Sequence, residues 1–157
     1  MFPVKCKELL PLDHAVITSV AVRGRLGPLT VWVSNEDDPA HANQSFRLLP
    51  RHWTKIYEHT LPASPRQYRK LDFSQNPIRL RPGQVRAIYI HSTLEGDEAI
   101  VYDNRHSRRT YDDAIISLLP GRAHVSETPF GNTPIWGWGN AWRDEREFVG
   151  RVEYGAV

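Results

Sequence analysis

Only one cysteine, Cys6, stands among the 157 residues. That excludes an internal disulfide framework and a cysteine-based zinc site. Lysine is scarce as well, four residues against sixteen arginines. No apolar run approaches the roughly twenty residues of a membrane span. Val4 to Leu10 is broken by Lys5, Lys7 and Glu8, which is unlike a secretory signal. A cytoplasmic or other intracellular location and no membrane association are therefore expected. A one-sided charge is missing too: 20 basic against 18 acidic residues leave a formal net charge of +2. Non-specific nucleic-acid binding needs a stronger field than that. There is no repeat, no low-complexity stretch and no helical periodicity longer than two turns.

What the chain does have is aromatic and β-branched side chains. Five tryptophans, six tyrosines and five phenylalanines exclude a disordered chain. A chain of this length buries about 68–70% of its unfolded surface, so one domain over residues 1–157 is expected without metal or disulfide support. Twelve prolines and ten glycines are spread evenly and punctuate short β-rich runs, the pattern of a sandwich or barrel.

Residues 1–14 read as an irregular segment or a short edge strand. Ala15 to Val22 is β-branched and reads as a strand. Leu29 to Ser34 alternates, placing Leu29, Val31 and Val33 on one face and Trp32 on the other. Short strands follow at Thr54–His59, Tyr68–Phe73 and Ile78–Leu80, with 61–67 a loop because of Pro62 and Pro65. Ser74-Gln75-Asn76-Pro77 is a turn, and Arg81-Pro82-Gly83-Gln84 has type II turn chemistry. Val85 to His91 is apolar on both faces apart from Arg86 and reads as a central strand. Ala99–Tyr102, Ala114–Leu119, Arg122–Ser126 and Phe148–Tyr154 complete the set, with 103–113 an exposed loop and 129–146 without periodicity. The expected fold class is all-β, an antiparallel sandwich of jelly-roll type with about nine or ten short strands.

The order of three pieces carries a resemblance: Leu29-Thr30-Val31-Trp32-Val33, then His52-Trp53-Thr54-Lys55-Ile56-Tyr57, then Leu80-Arg81-Pro82-Gly83-Gln84-Val85-Arg86-Ala87-Ile88-Tyr89-Ile90. With the closing Phe148-Val149-Gly150-Arg151-Val152-Glu153-Tyr154, this is similar to PHR-type and galactose-binding-like β-sandwich modules over Val16 to Tyr154. The resemblance implies a ligand- or partner-binding unit and not an enzyme.

The chemistry-bearing residues fit that expectation. Seven histidines show no metal-ligand spacing on a helix. His91 and Ser92 are neighbours on one strand, so they point to opposite faces, and no nucleophile elbow is present. No cofactor is expected. The acidic runs Glu36-Asp37-Asp38 and Glu95-Gly96-Asp97-Glu98 offer oxygens to calcium but lack EF-hand spacing, so they also read as solvated turns. Two loops are the binding candidates. Arg105, Arg108, Arg109 and Tyr111 combine guanidinium forks with an aromatic ring, as interfaces do. Trp136, Trp138 and Trp142 lie among glycines, either as exposed platforms or as a plug for the end of the sandwich. The expectation is a non-catalytic module binding a protein or peptide through these loops at one end of the sandwich. A carbohydrate-binding module and a structural subunit of a larger assembly are the alternatives.

Overall fold

In the computed structural model the described residues are 1–36, 48–105, 110–132 and 140–157. They form thirteen strands: β1 (Phe2–Cys6), β2 (Ala15–Gly24), β3 (Gly27–Ser34), β4 (Trp53–Leu61), β5 (Ser64–Asp72), β6 (Ile78–Leu80), β7 (Val85–Ser92), β8 (Tyr102–Asp103), β9 (Tyr111–Asp112), β10 (Ile116–Leu118), β11 (Gly121–His124), β12 (Trp142–Phe148) and β13 (Arg151–Ala156). The one helical element among the described residues is a three-residue 3-10 turn, Pro50–His52. The protein is thus an all-β antiparallel sandwich. Its largest sheet runs β4-β3-β7-β1-β10-β9, with β4 at one edge. A four-stranded sheet holds β13-β2-β5, with β6 also on β2, and a three-stranded sheet runs β11-β12-β8.

Two cores follow from side-chain alternation on β7 and β3. Ile88, Leu29, Val31 and Val33 face inward against Ile17, Val20, Leu71 and Ile78 of the four-stranded sheet. Ala87 and Tyr89 point the other way, into a second cluster with Trp53, Phe130 and Trp142, against which Trp32 also packs. A strand apolar on both faces therefore sits at the centre of the large sheet because both of its faces are covered.

Several elements differ from the sequence reading, each for a physical reason. Phe2–Cys6 is neither irregular nor an edge: it lies between β7 and β10, with Val4 opposite both Arg86 and Leu118. The segment 61–67 contributes Ser64 to Gln67 to β5, and Pro65 is tolerated there because β5 is an edge strand. Tyr111 and Asp112 are not loop residues but pair with Leu118 and Ser117. Residues 142–148, dismissed for want of periodicity, are the strand β12. Glu145 has a left-handed backbone (φ 57°), and the register with β11 slips there. This bulge erases the alternation a strand would otherwise show. The Arg81–Gln84 turn matches its expected chemistry, with Gly83 at φ 84° and Gln84 N–H donating to the Arg81 carbonyl at 2.9 Å.

Candidate functional site

Of the seven expected binding residues, Arg108, Arg109, Trp136 and Trp138 lie outside the described residues. Arg105 follows β8 and is exposed; its Nε lies 3.0 Å from Asp103 Oδ2 and 3.5 Å from Glu147 Oε2. Tyr111 is half exposed on β9, its hydroxyl donating to Asp113 Oδ2 at 3.1 Å. Trp142 is buried. Its ring stacks on His124, centroids 4.1 Å apart at 19°, so it offers no open face to a sugar. The two loops leave β12 from opposite ends. Trp142 opens the strand opposite His124, whereas Glu147 near its close is opposite Asp103. Five residues of strand separate them, roughly 16 Å.

At the Arg105 end the surface opens into a cleft of about 490 Å³, whose lining includes Arg23, Arg25, Pro65, Asp97, Asn104 and Arg143. Its floor is a fixed polar network. Arg143 Nη1 lies 2.6 Å from Asp97 Oδ1 and 2.6 Å from the Tyr102 hydroxyl, which itself donates to Asp97 Oδ1 at 2.9 Å. Burial, aided by the hydrogen bond to Asp97, pushes the Tyr102 phenol above its ordinary range. The Arg143 side chain is 13% exposed, so its guanidinium is held in one place. Arg23 donates from Nη1 to the Pro65 carbonyl at 2.9 Å. Arg25 and Glu98, 3.6 Å apart and both exposed, form a pair of little energetic weight.

Behind the cleft, and sharing Val101 and Tyr102 with it, lies an inner cavity of about 60 Å³. Its walls are partly apolar, from Phe2, Ile90, Leu94 and Phe148, and partly ionic, from Arg122, Arg146 and Glu147. Glu147 is 2% exposed. Its Oε2 faces Arg105, and its Oε1 has no hydrogen-bond partner.

The second core holds a hydrogen-bond chain whose proton positions follow from its ends. His124 Nε2 is 2.7 Å from the Gly131 carbonyl, which only accepts, so Nε2 carries the proton. His124 Nδ1 is then bare and accepts from the Tyr89 hydroxyl at 2.6 Å. The Tyr89 oxygen accepts in turn from Phe130 N–H at 3.3 Å. Burial lowers the His124 pKa to about 3 and raises that of Tyr89. Burial lowers His91 also; its Nε2 donates to the Ser126 carbonyl at 2.9 Å. The neighbouring Ser92 hydroxyl donates to the Leu26 carbonyl, so His91 and Ser92 are each committed to a backbone group and not to one another. These rings act as packing with satisfied polar edges.

Asp97, Tyr102, Arg143 and Glu147 are absent from the sequence-based site. Asp97 sits in an acidic run readable as a calcium loop, but its carboxylate is engaged by Tyr102 and Arg143. Asp37 and Asp38 of the other acidic run lie outside the described residues. Among the described residues no group of three or more His, Cys, Asp or Glu is placed to hold a metal ion. No helix among them is long and apolar enough to cross a membrane. A sequence signal for Arg143 and Glu147 does exist, the charge-rich run Arg143-Asp144-Glu145-Arg146-Glu147 beside an aromatic, but the bulge hides which of them points inward. Compared with protein-family models, curated proteins and solved structures, the chain matches none.

Proposed function

We propose that the chain is a non-catalytic recognition module and that a protein or peptide partner docks on the charged cleft at the Arg105 end of β12. The observation that carries this reading is the Arg143–Tyr102–Asp97 network at the cleft floor. It fixes a guanidinium and a carboxylate on strands, and a binding surface of that kind loses little side-chain entropy on docking. The cleft's volume falls within the range of ligand pockets, about 300–1,000 Å³. Arg23 and Arg25 present further guanidinium forks suited to carboxylates of a partner. Arg105 leaves β8 one residue past Asn104 of the cleft lining, which brings the arginine-rich segment of the sequence to the same end. The order of strand motifs shared with PHR-type and galactose-binding-like modules supports the same class of role.

Co-purification from native cells, followed by affinity measurement with the recovered partner, tests the assignment. Arg25→Ala and Tyr102→Phe are expected to weaken binding by about 1–4 kcal/mol if these residues anchor the partner, with unfolding temperatures close to that of the parent. A verified partner that binds both variants as tightly as the parent protein would remove the cleft from consideration.

A further inference from the structure

We infer that the inner cavity receives a primary alkylammonium group, and that this cation takes the place of Arg105 as the counter-charge of Glu147. The inference rests on the recognition reading only for the source of the amine, a lysine side chain of the docked partner. Burying a carboxylate costs several kcal/mol unless it is well paired. Glu147 is 2% exposed, yet the cation beside it is loosely held: Arg105 is 73% exposed, and Asp103 is closer to its Nε than Glu147 is. A carboxylate accepts at about four lone-pair sites, and Glu147 Oε1 has no hydrogen bond at all. The other two guanidinium groups on the cavity wall are engaged by Asp144. Arg122 Nε lies 2.9 Å from Asp144 Oδ1, and Arg146 Nη1 donates to the Asp144 carbonyl at 2.8 Å.

Size and lining select the ligand. One water-sized group needs about 10–15 Å³ of such space, so about 60 Å³ admits some four or five heavy atoms in a row. That is the length of a lysine side chain beyond its β-carbon. Phe2, Ile90, Leu94 and Phe148 give apolar wall to the methylenes, and the compact ammonium suits a single idle oxygen better than a planar guanidinium does. An incoming ammonium conserves the local charge, because Arg105 retains Asp103.

The experiment titrates n-butylammonium and the isosteric n-butanol into the protein at low ionic strength, following the methyl NMR signals of Ile90 and Leu94. Saturable shifts with butylammonium, and binding roughly tenfold weaker or more with butanol, are expected. Glu147→Gln is expected to weaken butylammonium by a similar factor, and Arg105→Ala to tighten it several-fold by removing the competing cation. Equal binding of the two probes, no saturable shift, or an unchanged affinity in Glu147→Gln overturns the inference. Should Glu147→Gln fail to fold, the probe comparison and Arg105→Ala decide it. A second arm uses Nα-acetyl-lysine N-methylamide: binding at least as tight as butylammonium supports a partner lysine, and its exclusion while butylammonium binds overturns that source. Because these probes need no partner, their failure is separable from failure of the cleft assignment, which Arg25→Ala reports.

Discussion

Tyr89 is fully buried and its hydroxyl works in both directions, accepting from Phe130 N–H and donating to His124 Nδ1. Tyr89→Phe keeps the ring and strands both partners, so a loss of about 1–3 kcal/mol in urea unfolding is expected. His124 has a second consequence. Its folded pKa, about 3, lies below the ordinary histidine value of 6.5 because of burial. Between those two values the unfolded chain binds a proton that the folded chain refuses, so stability is complete above pH 6.5 and falls as pH drops. His91, lowered for the same reason, adds in the same direction. At about 1.4 kcal/mol per pH unit, His124 alone is expected to remove about 2 kcal/mol between pH 6.5 and 5. The lowered carboxylates Asp72 and Asp113 act only at more acidic pH, below their ordinary value of 3.8. Urea midpoints at pH 7.5, 6 and 5 check this, and a flat profile would show that the imidazole finds solvent.

Between β12 and β13 the chain leaves the three-stranded sheet for the four-stranded one through Val149 and Gly150. A β-carbon on Gly150 would stand 2.0 Å from the Ala21 carbonyl oxygen and 2.6 Å from the Phe148 ring. Gly150→Ala therefore forces backbone apart and is expected to cost more than about 2 kcal/mol, whereas Gly155→Ala, which meets nothing within 4 Å, stays within about 0.5 kcal/mol. Thermal unfolding of the two variants side by side measures the difference. Elements differ likewise in how far their residues announce them. β3 and β7 were legible because burial on two faces writes β-branched and aromatic residues at every position. β1 was not, since Pro3 and Lys5 mask a strand that long-range pairing with Arg86 and Ser117 secures. β12 was hidden by one residue, Glu145, whose left-handed backbone shifts the alternation midway. The cleft suffered from the same cause: Arg143 and Glu147 flank that bulge, and the partners of Arg143, Tyr102 and Asp97, come from some forty residues upstream. No local pattern encodes such a meeting. The arginine-rich segment was visible by composition alone.

For the molecule as a whole, sheet order dictates a slow assembly. Val4 pairs with Arg86 and with Leu118, and Glu147 with Asp103. Closing such distant pairs loses chain entropy before contacts repay it, so refolding on the millisecond-to-second scale is expected from stopped-flow fluorescence; microsecond refolding would contradict a transition state built on these pairings. The nine-residue strand β4 ends the large sheet, bonded among the described residues to β3 alone. A lengthy rim of this kind is where copies of a protein can begin to stack into fibrils. Lys55 and Glu58 stand exposed along it, 2.5 Å apart, and the register with β3 slips between Val31 and Trp32. A neighbour's strand would have to strip water from that ion pair and follow a kinked rail before its own amides met those of β4, so the protein's resistance to self-stacking is carried by two side chains and one irregular step.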